Sequence, residues 1–368
     1  MKKLILLVPI LLLSGIYITS CKKDKSSTEP QKEVYLDLSD SNAVYFPQHV
    51  YNGSTVNKTA VLGRVLFYDR HLSINNSVSC ASCHKQAYAF ADNVALSNGF
   101  ENVKTGRNSS HITNIVGVGS FSNVTGVSAL LFWDGRQTSL TDMVTKPIGN
   151  HVEMGISDIG TLPQKLSTLP YYKELFKKAY GTSDITVERI ASALGTFLSA
   201  INSDSTRFDK AKIYKTAQYS ALEEDGWQLF NIKYNCASCH HLGTGTYFQN
   251  GFEDIGLDDS CTDMGRGAIS LMSSDNGKFK TPNLKNVAVT GPYMHDGRFK
   301  TLKEVLNHYS DGIKNSANLS EKLKDVNDKP MRMKISEDEK DALIAFLNTL
   351  TDYKLLTDSK FSDPFKLK

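Results

Sequence analysis

The sequence predicts a mainly α-helical protein of two domains that are related by internal duplication and carry long irregular loops. Three observations lead to this prediction. The pentapeptide C-A-S-C-H occurs at 80–84 and again, unchanged, at 236–240. A second pattern, D-G-R-x-x-[ST]-L-x-[DE], begins at Asp134 and recurs from Asp296. Where a hydrophobic period can be read it is helical, and strand patterns are short and scattered.

The repeated pentapeptide is a C-x-x-C-H motif, which is the attachment site of a c-type haem. In such a motif the two thiols add to the haem vinyl groups, and the adjacent histidine becomes the proximal iron ligand. The residues concerned are Cys80, Cys83 and His84 in the first copy, and Cys236, Cys239 and His240 in the second. A zinc site and a redox dithiol are the alternatives, and neither needs a histidine directly after the second cysteine. The sequence therefore predicts two cytochrome c-type haem domains, each with one covalently bound haem c.

Three amphipathic segments predict helices around these motifs. Residues 186–201 place apolar side chains on one face, and 220–230 lead into the second motif behind Ser220 as N-cap. Ser336 and Glu339 form a capping box that opens a helix over 340–350. The duplication places the N-terminal haem domain at 46–205 and the C-terminal haem domain at 206–368.

Composition limits the choice of partners. The 368 residues include 42 Lys and Arg against 39 Asp and Glu, which leaves a net charge of only +3. No basic stripe with interleaved aromatic residues is present, and the sequence therefore predicts no nucleic-acid partner.

The N-terminus has the features of an export signal. Residues 1–20 combine two lysines, an apolar run and small residues, and they end in a sequence that resembles a bacterial lipobox before Cys21. We expect 1–20 to be a signal peptide and 21–45 a polar tether, with a lipid on Cys21 that anchors a periplasmic protein to a membrane. A plain cleaved secretory signal is the alternative. Outside the haem motifs only Cys21 and Cys261 remain of six cysteines, and Cys261 has no evident role.

Several further segments occur in a fixed order with the two haem motifs. They are residues 62–69, 106–109, 132–136, 152–154 and 281–309. Over about residues 55–355 this series resembles the dihaem bacterial cytochrome c peroxidases and their relative MauG. The resemblance implies an oxidoreductase that acts on peroxide, in which the N-terminal haem meets peroxide and the C-terminal haem stores and relays electrons.

The resemblance also implies residue roles at the N-terminal haem. Glu153 matches the acid-base residue of the distal face, where a carboxylate suits proton transfer between the two peroxide oxygens. Pro147 matches a proline over the same face, and Trp133 matches the tryptophan between the two haems. Without the resemblance, Glu153 reads as a loop carboxylate and Trp133 as a core aromatic residue.

The chain departs from the ordinary peroxidases at the position of their distal histidine. Phe100 stands there, and no histidine occurs between Lys85 and Ser110. We therefore expect a five-coordinate N-terminal haem that needs no reductive activation. His111 remains an alternative sixth ligand.

The chain also differs from the ordinary peroxidases at the C-terminal haem. The methionine ligand of the peroxidases is replaced by Tyr309, as in MauG, and a phenolate favours the higher oxidation states of iron. His308 and Met294 are the competing ligands. The resemblance implies that His295 hydrogen-bonds a haem propionate.

Two further groups follow from the resemblance. Asn108, Thr290 and Pro292 match positions that hold one Ca²⁺ between the domains, and oxygen donors suit this ion. Four arginines are candidates to neutralise haem propionates, namely Arg64, Arg107, Arg136 and Arg298.

These features predict an enzyme that reduces hydrogen peroxide to water, with electrons relayed through Trp133 and the C-terminal haem. The donor would be a small protein, either a monohaem cytochrome or a cupredoxin. A close variant is a MauG-like oxidase that uses peroxide to modify a protein or an organic substrate. The alternative from another class is a dihaem electron carrier, which would have two six-coordinate haems and no use for Glu153.

Overall fold

The computed structural model describes residues 34–37, 58–115, 130–242 and 251–367. Helices of the first half are α1 (Lys58–Tyr68), α2 (Cys80–Cys83), α3 (Leu140–Gly149), α4 (Leu162–Ser167), α5 (Pro170–Tyr180) and α6 (Val187–Ala200). Those of the second half are α7 (Ala221–Gln228), α8 (Gly267–Ser270), α9 (Leu302–Asn307) and α10 (Glu337–Asn348). Four short strands form two antiparallel pairs, β1 (Val34–Leu36) with β4 (Phe365–Leu367) and β2 (Phe252–Glu253) with β3 (Phe279–Lys280).

The predicted helix caps are confirmed, and α10 begins at Glu337, ahead of the predicted 340. Thr186 accepts a hydrogen bond from the Arg189 amide at the start of α6. Ser220 opens α7 and Ser336 opens α10, each in a capping box with the glutamate three residues later. Local side-chain chemistry therefore sets where these helices begin.

The duplication is confirmed by how the first and last helices of each half cross. A Cβ atom added to Gly63 on α1 would lie 1.9 Å from the Ala193 carbonyl oxygen and 2.8 Å from the Phe197 Cβ on α6. A Cβ atom on Gly226 of α7 would meet the Ala342 carbonyl oxygen and the Phe346 Cβ of α10 at the same two distances. Glycine lets two helix backbones approach this closely. Each half is thus built on one crossed helix pair.

Each helix pair closes over its own apolar core. The first core contains Phe67, Phe90 and Phe197, all at most 1% exposed, and the second core is centred on Leu343 and Phe346. The mainly α fold with two haem-domain halves is therefore as predicted.

The C-terminal tail returns to the first half. Leu355 and Phe361 belong to the first core, and β4 pairs with β1. The tail lies within the range that we assigned to the C-terminal domain, and β1 lies within the predicted tether. Burial of apolar side chains explains this arrangement, because Phe361 packs against the rings of Phe90 and Phe197.

The two D-G-R turns join the halves reciprocally. A Cβ atom on Gly135 would lie 2.3 Å from the Phe252 ring of the second half, and one on Gly297 would lie 2.5 Å from the Ala95 Cα of the first. Both glycines have φ near +66°, which only glycine adopts without strain. The interface therefore has the same turn on each side.

In the part of the chain that the structure describes, no helix is both long and apolar enough to cross a membrane. The predicted signal peptide and Cys21 lie outside the described residues.

Candidate active site

The first haem motif forms the short helix α2. The Ser79 amide donates to the Ser82 hydroxyl at 3.0 Å, and the His84 amide closes the turn on the Cys80 carbonyl at 2.9 Å. The His84 ring places Nδ1 2.9 Å from the Phe90 carbonyl oxygen. A carbonyl only accepts hydrogen bonds, so Nδ1 carries the proton and Nε2 is left with its lone pair. This is the tautomer that binds iron through Nε2.

The second motif reproduces this arrangement on a different local backbone. Cys236–Ser238 form a 3₁₀ turn, and the His240 amide closes on the Cys236 carbonyl at 2.9 Å. His240 Nδ1 lies 3.0 Å from the Pro282 carbonyl oxygen. Burial lowers the pKa of His240 to about 4, which keeps the imidazole in its neutral, ligating form.

A cavity of about 700 Å³ opens beside the second motif. Cys236, Cys239 and His240 line it on one side. Most of the remaining lining is apolar, with contributions such as Leu306 and Leu347. Two thiols, a neutral imidazole and apolar walls of this volume fit a covalently held haem.

Tyr309 lines the same cavity from a π-helical turn, His308–Gly312, that continues α9. Burial raises its pKa well above the ordinary value. Of the two competing ligands, His308 points its Nε2 at the Ile255 carbonyl oxygen, 2.9 Å away, and Met294 lines the cavity. The geometry therefore leaves Tyr309 and Met294 as the candidates that face the C-terminal haem site.

Trp133 stands where the two halves meet. Its indole Nε1 donates to the Asn108 carbonyl oxygen at 2.8 Å, and its own carbonyl accepts from the Lys280 amide at 2.7 Å. Both Trp133 and Asn108 line the cavity of the second half, although they belong to the first half. The indole is thus fixed at the wall between the predicted haem sites.

Glu153 lies in the loop that follows α3. The Asn150 side chain accepts from the amides of Val152 and Glu153 at 2.8 and 3.2 Å, and the Glu153 carbonyl accepts from the Phe100 amide at 3.0 Å. The Phe100 ring packs on Gly155, where an added Cβ would lie 2.6 Å from it. Phe100 therefore supports the backbone of the Glu153 loop.

The Glu153 carboxylate interacts electrostatically with the first motif. Burial raises the pKa of Glu153, against the opposing charge of Arg136. Burial also raises the pKa of Cys80 and Cys83, and the charge of Glu153 raises both further. Pro147 lies in the last turn of α3, and its carbonyl accepts from the Asn150 amide at 3.2 Å. Helix end, turn and carboxylate thus follow one another directly along the chain.

The four arginines make protein contacts in this structure. Arg64 donates to the Ser362 carbonyl at 2.6 Å. Arg107 binds Asp263 through two nitrogens, each at 2.7 Å, and Asp134 at 2.6 Å. Arg136 binds Asp134 at 2.8 Å and Arg298 binds Asp258 and Asp296 at 2.6 and 2.7 Å. Their proposed contacts with propionates stay predictions.

His111 joins the halves through one ring nitrogen, and its other ring nitrogen contacts a residue of its own half. Nδ1 lies 2.9 Å from the Thr113 hydroxyl and Nε2 lies 3.1 Å from the Asn283 carbonyl oxygen. Burial lowers its pKa to about 4. These contacts give His111 a structural place at the interface.

The calcium candidates lie together on the cavity wall. Asn108, Thr290 and Pro292 all line it. The Asn108 side-chain nitrogen donates to the Val94 and Ala95 carbonyls at 3.2 Å each, which turns its Oδ1 the other way. Among the described residues, no three His, Cys, Asp or Glu side chains converge as a metal site.

Two residues of the cavity wall, Phe279 and Lys280, were missed by sequence reasoning. The His295 ring stacks on Phe279 with centroids 3.7 Å apart, and the Arg107 guanidinium lies 5.3 Å from the same ring. Lys280, next to Phe279, also lines the cavity. Phe279 and Lys280 precede the 281–309 segment that carries the resemblance, and no spacing rule separates them from ordinary strand residues.

Comparison with known proteins identifies the family. The family model of di-haem cytochrome c peroxidases matches residues 57–217 and 230–368. The chain is 34% identical over 307 residues to the methylamine utilization protein MauG of Methylorubrum extorquens, covering 83% of this chain and 81% of that one. It is 28% identical over 307 residues to the cytochrome c551 peroxidase of Nitrosomonas europaea, covering 80% and 82%.

Among solved structures, a MauG-like protein associated with microbial copper homeostasis is similar, with a TM-score of 0.73 and 30% identity. The match covers 83% of this chain and 93% of that one. Sequence and structure therefore agree, and the chain belongs to the di-haem cytochrome c peroxidase family, oxidoreductases that act on peroxide and carry two haems.

Proposed function

We propose that this protein reduces hydrogen peroxide to water at its N-terminal haem site, with two electrons relayed from the C-terminal haem site through Trp133. The observation that carries the proposal is the half-buried Glu153 carboxylate, whose charge raises the pKa of Cys80 and of Cys83 in the first haem motif. When bound, a haem with one open face supplies the electrons that split the O–O bond. The balanced change is H₂O₂ + 2 e⁻ + 2 H⁺ → 2 H₂O.

The chain's own residues manage the protons. The Glu153 carboxylate accepts the proton of the inner peroxide oxygen and returns it to the outer oxygen, so that water can leave. Its pKa, raised by burial, lies closer to neutral pH than that of an ordinary glutamate, which helps both steps. Asn150 and Phe100 hold the backbone of the loop, and Trp133 is held in place by Asn108 for electron transfer.

The electron donor is a small redox protein, either a monohaem cytochrome or a cupredoxin. A second use of peroxide is favoured by Tyr309, which lines the cavity where the peroxidases place a methionine. In this MauG-like use, the oxidising equivalents modify a protein or an organic substrate. Similarity to MauG at 34% identity supports it. Turnover of peroxide with a reduced small cytochrome distinguishes the first use from the second.

Replacing Glu153 tests the shared chemistry. Glu153→Gln keeps the shape of the side chain and removes the base, so the reaction with peroxide should slow by about 10²–10⁴-fold while both haems remain attached. Stopped-flow absorbance measures the rate, and exposed Glu101→Gln serves as the control. Reaction of Glu153→Gln at the wild-type rate would show that the carboxylate has no such role.

Two further proposals concern the surroundings of the enzyme. We propose one Ca²⁺ at Asn108, Thr290 and Pro292, supported by their shared position on the cavity wall and by the orientation of Asn108 Oδ1. Metal analysis after chelation checks it.

We also propose a periplasmic location with a lipid on Cys21, supported by the export sequence. Transfer of Cys21→Ser from the membrane to the soluble fraction would support that location.

A further inference from the structure

Lys280 has a fixed backbone between two parts of the predicted electron path. Its amide donates to the Trp133 carbonyl at 2.7 Å, and β3 pairs it with Phe252 on β2. Two residues later, the Pro282 carbonyl accepts from the His240 ring. The position of Lys280 is therefore set from both sides, by the indole residue at the interface and by the segment that orients the proximal histidine.

The side chain of Lys280 is half-buried and lines the cavity of the second half. Burial lowers the pKa of its ammonium to about 8, and no neighbouring charge offsets this effect. Among the described residues, none forms a hydrogen bond or ion pair with the Lys280 side chain. An ammonium enclosed in this way without an anion is unfavourable.

The other charged residues of the cavity wall are already paired. Lys322 binds Glu253 at 2.9 Å, Lys233 binds Glu339, and Arg332 donates to the Ile313 carbonyl at 2.7 Å. The acidic residues also have partners: Glu253 has Lys322, Asp254 has the Gly256 amide, Asp258 has Arg298, and Asp263 has Arg107. No described carboxylate of the wall is thus left for Lys280, and the missing anion must come with the occupant of the cavity.

We propose that Lys280 is the counter-ion of a haem carboxylate, a propionate of the C-terminal haem. The ligand class follows from the cavity, because its occupant is held by two thiols and an imidazole and carries acidic groups of its own. This assignment is made in addition to the four arginines of the sequence analysis, whose guanidinium groups bind protein carboxylates and carbonyls in this structure. It rests on the two-haem assignment and is independent of the proposed peroxide chemistry.

The pairing has an effect on electron transfer. A positive charge beside the haem stabilises the reduced iron, which carries one positive charge fewer, and therefore raises the reduction potential. Because Lys280 also bonds the Trp133 carbonyl, the same residue ties the haem edge to the indole backbone. Lys280 is thus a positioning residue for the C-terminal haem and tunes its potential.

Potentiometric titration of the holoprotein, without peroxide, tests the proposal. Lys280→Met removes the charge and keeps the length of the side chain. At a fixed potential the ratio of reduced to oxidised C-terminal haem should fall about tenfold, and the N-terminal haem should change little. Lys280→Arg should keep the wild-type titration. Lys278→Met, on the same segment but outside the cavity lining, is the matched control.

The remaining outcomes also decide the question. If Lys280→Met fails to retain the C-terminal haem while Lys280→Arg retains it at the wild-type potential, the requirement for a cation is supported. An unchanged titration in Lys280→Met overturns the proposal, as does an equal shift of both haems. Loss of the C-terminal haem in Lys280→Arg overturns it too. A failure of the peroxide assay alone leaves this result intact, because no peroxide enters the titration.

Discussion

The two halves share a frame and differ in what faces the cofactor. Each half crosses two helices at a glycine, directs a histidine Nδ1 to a backbone carbonyl and presents a D-G-R turn to the other half. In the repeated D-G-R segment, each residue of the first half has its counterpart 162 positions later in the second half. Trp133, for example, corresponds to His295. By the same spacing the counterpart of Pro147 is Tyr309. The first half thus has a proline, whose side chain cannot coordinate iron, at the position where the second half has a potential iron ligand.

The two halves also differ in the backbone around Pro147 and Tyr309. In the first half α3 runs to Gly149 and turns at Asn150, and the loop then presents Glu153. In the second half α9 ends at Asn307 and a π-helical turn carries Tyr309 into the cavity. π-helical turns are frequent at functional sites. The family has two haems, and in this chain the residues after the D-G-R turn differ between the two halves.

The largest expected effect tests whether the frame is truly shared. Gly63→Ala and Gly226→Ala each place a Cβ atom 1.9 Å from a helix carbonyl oxygen, and backbone atoms cannot yield as a side-chain tip can. Each substitution should reduce the free energy of unfolding by about 3 kcal/mol, measured by urea unfolding of the holoprotein.

Gly106→Ala is the control, because nothing lies within 4 Å of its added Cβ. We expect it to change the free energy of unfolding by less than about 0.5 kcal/mol. If only one of the two crossings proves sensitive, the halves do not depend on the same contact.

Arg107 and Arg298 provide the next comparison, because one joins the halves and the other stays within the second half. Arg107 binds Asp134 of its own half and Asp263 of the other, and removing it leaves the 4% exposed Asp134 with a single guanidinium. Arg107→Ala should reduce the free energy of unfolding by about 2 kcal/mol. Arg298→Ala removes an exposed pair and should cost about 0.5 kcal/mol. Equal effects would mean that the contact between the halves adds nothing.

Acid should weaken the same interface. Burial raises the pKa of Asp134 and Asp263, but the bonds from Arg107 outweigh it, and both pKa values lie below the ordinary 3.8. The stabilisation is therefore complete above pH 3.8 and is lost as the pH falls through the lowered values of the folded state. Urea midpoints of the wild type and Arg107→Ala should converge below about pH 3.8. A constant difference between pH 7 and pH 3 would contradict this assignment.

The smallest effect on stability is expected at Tyr309, where the change should be spectroscopic. In the oxidised wild type we expect one high-spin and one low-spin haem by electron paramagnetic resonance. Tyr309→Phe should alter the low-spin signal only. Tyr293→Phe is the control, since Tyr293 lines the same cavity but donates its hydroxyl to the Val287 carbonyl at 2.9 Å. Two low-spin signals in the wild type would show that a ligand at the first iron has been missed.

The sequence predicted what depends on local spacing. Each of these features is made of residues that lie close together in the sequence. They are the haem motifs, the caps at Thr186, Ser220 and Ser336, and the paired D-G-R turns. The family resemblance supplied Glu153, Trp133 and Tyr309. The structure puts Trp133 and Tyr309 on one cavity and Glu153 near the first motif.

Contacts between distant segments could not be read in this way. Arg107 meets Asp263 across 156 positions and Gln86 reaches the Asp358 carbonyl across 272. Lys280 was missed because nothing in a single sequence marks a lysine that lacks a protein anion. These features depend on which surfaces meet after the chain has folded, and a pattern of neighbours along the chain does not encode that.

The returning tail gives deletions near the C-terminus an unexpected reach. Gln86, two residues beyond His84, donates to the Leu355 and Asp358 carbonyls, and Tyr68 of α1 donates to the Phe361 carbonyl. A truncation after Leu350 would remove these acceptors and uncover Phe90 and Phe197, while α10 and the second core keep their own residues. Deletion of the C-terminal tail would thus destabilise the N-terminal half of the enzyme.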